Sequence, residues 1–255
     1  MKRAGAPLAI YALAAYLFLH LPLLILAVFS FNRSRFTVWQ GFSLTWYSAA
    51  LHDSQLEDAS WNSLIIAVFA TVVSTVIGTL CAYGLWKRSS PVLAGSLYLS
   101  LVTPEIVSGI SLLAFYQWLF RFLRLQLGMH TVILAHISFS IAFVVIVVMA
   151  RLRTVDAQME EAALDLGASY WQAFRYVTLP VILPGVIAAA LLAFTVSFDD
   201  YVITSLVAGV DSETLPMMIY AIARRGVNPV VNAISALIVV GFGSLILVSE
   251  RLRSR

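Results

Sequence analysis

Residues 151–185 read RLRTVDAQMEEAALDLGASYWQAFRYVTLPVILPG, the longest polar interruption between two strongly apolar segments on the basic side of the chain. Thr154 is placed to cap a helix with Asp156 in its first turn, where the helix dipole favours an acid. Val155, Met159, Ala162 and Leu166 follow at helical spacing as one apolar stripe. Gly167 stands where that helix would end in a left-handed conformation. Ser169 and Gln172 form an S-x-x-Q capping box for a second short helix, and Pro180 with Pro184 closes the unit. The expected product is a helix, a glycine turn and a second helix, with small alanines on the surface flanked by Glu160 and Glu161. A plain interfacial helix needs no sharp turn and carries more Lys and Arg on its polar face. The pattern therefore points to a docking surface for a soluble partner.

The chain around this hairpin is apolar. Of 255 residues, 61% are hydrophobic and 11% charged, and the mean hydropathy is +0.91. Soluble domains carry about 25% charged residues, so this composition reads as an integral membrane protein. A span takes about 20 apolar residues, which leaves room for about six. They are expected at 8–30, 60–86, 92–119, 130–150, 183–206 and 229–249. The fold class that follows is an all-α membrane bundle of six transmembrane helices. It forms one membrane domain over 1–255, with the polar hairpin at 151–182 inside it and no appended soluble domain. The first apolar run exceeds the roughly 7–15 residues of a signal-peptide core and is read as an uncleaved helix. The single cysteine, Cys81, lies in an apolar run and reads as a small buried hydrophobe.

An even number of spans places both termini on one side. That side holds Lys2, Arg3, Lys87, Arg88, Arg151, Arg153, Arg175, Arg251, Arg253 and Arg255, against Arg33, Arg35, Arg121, Arg124, Arg224 and Arg225 opposite. The excess favours cytoplasmic termini and a cytoplasmic hairpin. The loops at 31–59 and 207–228 then face outward, and Trp39, Trp46, Tyr47 and Trp61 suit an interfacial belt. Gly78, Gly84, Gly185, Ala189, Gly241 and Gly243 permit close helix approach.

Acids within spans are costly and mark candidate function. Three occur: Glu105 after Pro104, and the adjacent Asp199 and Asp200. Counted from residue 92, Glu105 falls about 20 Å along its expected helix, beyond mid-membrane. Neighbouring helical residues point about 100° apart, so only one of Asp199 and Asp200 faces a given cavity squarely. Phe198, Tyr201 and Tyr116 lie near these acids in sequence or expected depth, and acids with aromatic faces suit an organic cation. The plainer reading is capping or pairing of the acids and ordinary packing of the rings. His20, His52, His130 and His136 lack metal-ligand spacing, and no nucleophile elbow occurs, which argues against an enzyme. His136 in its span reads as a hydrogen-bonded core residue.

Glu161-Ala162-Ala163, then Gly167, then Leu179-Pro180 resemble the EAA signature of bacterial ABC-importer permeases, with Val177 where that signature has isoleucine. The resemblance implies a type I importer permease whose hairpin is the coupling helix. It makes Glu160, Glu161, Ala162, Ala163 and Gly167 the ATPase-coupling residues. SFNRSRF at 30–36, WQGFSLTWY at 39–47, SFDDYVITSLVAG at 197–209 and TLPMMIYAIARRGVNPVVNAIS at 214–235 are similar to the spermidine/putrescine importer permeases, nearer the smaller of the two paired subunits. That narrower resemblance covers nearly the whole chain. It implies a polyamine cargo, a periplasmic binding protein, a second permease subunit and an ATPase homodimer in a bacterial inner membrane. No G-x-x-x-x-G-K-[S/T] loop is present, so ATP and Mg would belong to the partner ATPase and no cofactor to this chain. Glu105, Asp199, Asp200 and Tyr201 become the substrate-path residues. Arg224 and Arg225 would repel a free cation and suit contact with an acidic surface of the binding protein. An ABC permease for another organic cation or small metabolite fits the hairpin equally well. An ion-coupled secondary transporter fits the acids, but not the hairpin or the lack of obvious broken-helix repeats.

Overall fold

The computed structural model describes residues 5–253 apart from residues 37 and 227. In hydrocarbon every backbone polar group must bond within its own segment, so apolar runs become helices. The described residues are helical, with an isolated bridge between Asn32 and Phe42 and no strand. In chain order the helices are α1 (Gly5–Ser30), α2 (Thr45–Leu51), α3 (Ser54–Lys87), α4 (Pro91–Val102), α5 (Glu105–Leu123), α6 (Met129–Leu152), α7 (Gln158–Asp165), α8 (Tyr170–Ala173), α9 (Leu179–Asp199), α10 (Val202–Val207), α11 (Leu215–Arg224) and α12 (Pro229–Arg253). A π-helical turn, Phe174–Thr178, joins α8 to α9.

Helices α1, α3, α5 and α6, and the run Tyr170–Asp199 that ends in α9, are long and apolar enough to cross a membrane. Helix α1 leaves Leu8, Tyr11 and Phe18 more than two-thirds exposed, as a lipid-facing helix does. Two expected spans are not single helices. The span at 92–119 breaks at Thr103-Pro104, where Thr103 is extended with ψ 127°. Pro104 offers no N–H to the previous turn, and its ring drives the preceding residue out of the helical region. The span at 183–206 breaks at Asp200-Tyr201, with Asp200 extended at ψ 125°. The loops expected at 31–59 and 207–228 carry the short helices α2 and α11.

The chain divides into two compact units, one of Met1–Glu57 with Met218–Arg255 and one of Asp58–Met217. In the first, α12 packs on α1 and α2. Asn32, 1% exposed, organises the turn after α1. Its amide donates to the carbonyls of Phe36 and Val38, and its Oδ1 accepts from the N–H groups of Ser34 and Gln40.

In the second unit, α6 lies along α9. One apolar cluster joins Ala82, Val144, Val148, Leu152, Ile182 and Ala189, and another joins Ile66, Tyr116, Phe120, Val132, Ile203 and Val207. Gly78 is the point of close approach between α3 and α6, because a methyl there would come within 2.6 Å of Val144 Cγ1.

Candidate functional site

The two helix breaks face one cavity of about 390 Å³, within the usual range for a small-molecule site. Glu105, Asp199, Asp200 and Tyr201 all line it, with Phe139 and Phe143 of α6 and the hydroxyls of Ser100, Thr103, Ser108 and Thr195. The four expected path residues share this lining, which depends on the helix breaks and not on continuous spans. Glu105 is not mid-helix. It opens α5, in the first turn, where the exposed N–H groups and the helix dipole favour a carboxylate.

The adjacent acids have separate environments. Asp200 Oδ2 accepts from Thr204 N at 2.8 Å and from Thr204 Oγ1 at 2.7 Å, and Oδ1 accepts from Ile203 N at 3.4 Å. The carboxylate thereby satisfies donors at the start of α10 that the break would otherwise orphan. Its side chain is 6% exposed and lies 3.4 Å from His136 Nε2. Asp200 is thus a structural cap at the cavity wall rather than an open charge in the path, because it is buried and accepts three hydrogen bonds from the start of α10. Asp199 is exposed, and among the described residues neither Asp199 nor Glu105 has a hydrogen-bond or ion-pair partner.

His136 is the bolt behind this wall. It is 1% exposed, with Nδ1 2.7 Å from Ser197 Oγ of α9 and Nε2 2.9 Å from Thr204 Oγ1 of α10. One ring therefore holds three helices together as the core histidine expected. Thr131 Oγ1 donates to Val207 O at 2.7 Å and ties the other end of α10 to α6. Helix α10 sits close to α5 at Gly109, where a methyl would meet Leu206 Cδ1 at 2.6 Å.

Two aromatic expectations change. Tyr116 is buried in the apolar cluster, stacked on Phe120 at 5.8 Å, so it packs rather than lines the cavity. Phe198 stacks on Phe194 at 5.9 Å and is not part of the lining. Phe139 and Phe143 take that place. Their signal was present in the apolar α6 sequence, but no pattern distinguished them from core.

The polar hairpin forms with changed caps. Thr154 does not cap α7; its hydroxyl turns back to Arg151 O at 2.8 Å. Asp156 instead accepts from Gln158 N at 3.0 Å, and α7 starts at Gln158. Val155 therefore precedes the helix and packs against the inner apolar cluster, while Met159, Ala162 and Leu166 stay outward. Leu166 is 90% exposed. Gly167 has φ +91°, the left-handed turn expected of it. The Ser169–Gln172 box forms, with Ser169 N donating to Gln172 Oε1 at 2.8 Å and Gln172 N to Ser169 Oγ at 3.3 Å. Glu161 and Ala162 are exposed and Ala163 half-buried, so with Met159, Leu166, Tyr170 and Trp171 they make an outward apolar and acidic face.

Glu160 does not share that face. It is 1% exposed, and its Oε1 accepts from Lys87 Nζ at 2.7 Å and from Tyr83 OH at 2.6 Å, while Oε2 accepts from Thr178 Oγ1 at 2.6 Å. It turns inward because α7 lies against the end of α3 and the π turn, which supply three donors. Burial works against its charge, but the hydrogen bonds from Lys87, Thr178 and Tyr83 and the Lys87 charge outweigh it and lower its pKa. The π turn follows from Pro180, whose missing N–H and ring displace the carbonyl one turn earlier and widen the coil. Arg224 and Arg225 are exposed at the end of α11, with the Arg224 guanidinium 4.9 Å from the Tyr220 ring centre.

Comparison with known proteins places this geometry. Residues 74–254 match the family model described as binding-protein-dependent transport system inner membrane component. The spermidine/putrescine transport system permease protein PotC of Escherichia coli K12 is 41% identical over 244 residues, covering 94% of this chain and 89% of its own. The putrescine transport system permease protein PotI of the same organism is 40% identical over 238 residues, covering 91% and 85%. Among solved structures, a bacterial ABC transporter involved in the import of the acidic polysaccharide alginate matches with a TM-score of 0.73 at 17% identity, over 98% of both chains. This last likeness establishes the fold alone.

Proposed function

The chain belongs to the family of binding-protein-dependent transport system inner membrane components, and we propose that it carries spermidine and putrescine as one permease subunit of an ATP-driven importer. It is a multi-pass membrane permease and not an enzyme. The observation that carries the cargo is the cavity at the two helix breaks, with Glu105 and Asp199 unpaired in its wall. An uncompensated carboxylate in a membrane segment is costly, and a cation passing beside it offsets that cost transiently. Polyamines carry two or more positive charges, and Phe139, Phe143 and Tyr201 add ring faces for their ammonium groups. The names of the 41% and 40% identical relatives support the same cargo.

The partners in this reading are a second permease subunit, an ATPase homodimer that holds ATP and Mg, and a periplasmic polyamine-binding protein. The ATPase takes the outward face of the hairpin around Glu161, Ala162, Ala163 and Gly167. The binding protein meets Arg224 and Arg225 through an acidic surface. Both termini lie in the cytoplasm. Loaded binding protein delivers the cation to the cavity, and nucleotide-driven movement of the hairpin switches access from one side to the other. This chain makes no covalent bond to its cargo; Glu105 and Asp199 hold the cation, Asp200 and His136 hold the wall.

The test is uptake of labelled spermidine and putrescine, with an unrelated amino acid as control, in cells lacking this chain and its redundant importers, and in the same cells with it restored. Selective loss and recovery of polyamine uptake is expected. Unchanged polyamine uptake removes the cargo assignment and leaves a permease for another organic cation.

A further inference from the structure

Helix α3 runs unbroken for 34 residues, whereas the chain paths through α4 and α5 and through α9 and α10 are both interrupted. Its two ends are held by polar clamps. At the last turn, Tyr83 and Lys87 grip Glu160 of α7, and Lys87 Nζ also lies 4.9 Å from the Trp86 ring centre. The Tyr83 ring packs on Phe174 of the π turn at 4.6 Å. Near the other end, Asn62 Nδ2 donates to the carbonyls of Asp211 at 3.3 Å and Glu213 at 3.0 Å. Ser63 Oγ accepts from Leu215 N at 2.9 Å. The residues between the clamps, 62 to 87, span about 37 Å at 1.5 Å per residue.

The loop held by the second clamp follows α10 directly. Its Gly209–Ser212 turn is closed by Gly209 N donating to Ser212 Oγ at 2.8 Å. Gly209 also lies so close to the Leu127 backbone that no side chain fits. Helix α10 starts at the Asp200 cap in the cavity wall. The hairpin, α3, the 209–215 loop and α10 thus form a continuous mechanical path from the docking face to the candidate cavity.

We propose that α3 is a strut clamped to the coupling hairpin by Glu160 and to the 209–215 loop by Asn62 and Ser63, so that nucleotide-driven motion of the hairpin moves the loop and the cavity wall with it. The proposal rests on the hairpin engaging an ATPase. Glu160 is then a positioning residue: it touches neither cargo nor nucleotide and acts through α3. A continuous helix held by oriented hydrogen bonds moves as one piece, because packed interfaces shift between discrete arrangements rather than deforming smoothly.

The experiment uses the whole complex, with the partner permease, ATPase and binding protein, in nanodiscs. Spin labels go on Gln158→Cys and Val210→Cys in a Cys81→Ser background; Gln158 is exposed on α7 and Val210 is 82% exposed. The strut predicts the same 158–210 distance with and without a non-hydrolysable ATP analogue. In Glu160→Gln and in Asn62→Ala, the analogue should change or broaden that distance. In liposomes, spermidine transported per ATP hydrolysed should fall about tenfold in either variant, within the range of typical coupling free energies. The double variant should be no worse than the poorer single one. A role in folding alone would lower transport and hydrolysis together and leave their ratio unchanged. A nucleotide-dependent distance in the native complex, or an unchanged distance in either variant, overturns the strut. A native complex that hydrolyses ATP but moves no spermidine sinks the polyamine reading instead, while the distances still decide the strut.

Discussion

Asp199 and Asp200 are adjacent in the chain but divided by the end of α9: Asp199 stays exposed in the cavity, and Asp200 turns into the wall, 6% exposed and 3.4 Å from His136. Their substitutions should separate accordingly. Asp199→Asn removes a charge that the fold does not use. It should raise the half-saturating polyamine concentration about fivefold, equivalent to about 1 kcal/mol, with normal amounts of assembled protein. Asp200→Ala removes the cap of α10 and leaves the Ile203 and Thr204 N–H groups without their side-chain acceptor. A lost cap costs about 1 kcal/mol and each unsatisfied buried group about 1–3 kcal/mol. That variant should melt at lower temperature and accumulate poorly. Uptake kinetics beside thermal melts of the purified chain check both, and equal behaviour of the two variants would refute the division.

Glu105 opens α5 at the facing break of the same cavity. Glu105→Gln keeps the size and the hydrogen-bonding oxygen but removes the charge. It should lower polyamine uptake by a factor of about five without loss of stability. If one dication spans both carboxylates, either single loss already breaks the bridge, so Glu105→Gln with Asp199→Asn should lower uptake by less than the product of the single effects. Dose–response curves for labelled putrescine distinguish these cases.

The hairpin was legible in the sequence because its signals are local. Gly167 marks the left-handed turn, and Ser169 with Gln172 marks the next helix three residues apart. The fate of Glu160 was not legible. It sits beside Glu161 in the same acidic pattern, and what draws it inward is Tyr83, 77 residues away, and Thr178, 18 residues away. The helix breaks were only half legible. Pro104 alone hinted at irregularity, while the Asp199-Asp200 pair was read as part of one continuous helix; apolar runs continue through both points, and hydropathy measures composition rather than continuity. The cavity inherits that gap: its acids could be named from the sequence, whereas their convergence depends on where α5 and α10 begin.

Gly167 gives a graded test of the hairpin. Its φ of +91° is accessible to glycine, tolerated by asparagine and strained for alanine by about 1–2 kcal/mol. A methyl placed there would have no neighbouring atom within 4 Å, so the strain is conformational and not a clash. Proline cannot adopt that φ and also loses the Gly167 N–H bond to Leu164 O at 2.9 Å. Stimulation of ATP hydrolysis by loaded binding protein should fall in the order Gly, Asn, Ala, Pro, with Gly167→Pro fully uncoupled. Full stimulation in the proline variant would show that the turn plays no part in coupling.

Glu160 makes the hairpin sensitive to acid in a defined direction. Burial opposes its charge, but Lys87, Thr178 and Tyr83 hold its folded-state pKa below the ordinary 4.5. A depressed pKa means the unfolded chain binds the proton more readily, so Glu160 contributes stability that is fully present above the unfolded value. That contribution is lost as pH falls through the folded pKa. Glu160→Gln has no proton to exchange. The native chain should therefore lose melting temperature more steeply than Glu160→Gln as pH is lowered from 6 towards 3, and the two should differ by a constant above about pH 6. The comparison is made on the purified chain in detergent, scanned at each pH in buffers of matched ionic strength. Parallel curves throughout would mean that the carboxylate is not held ionised by the α3 clamp.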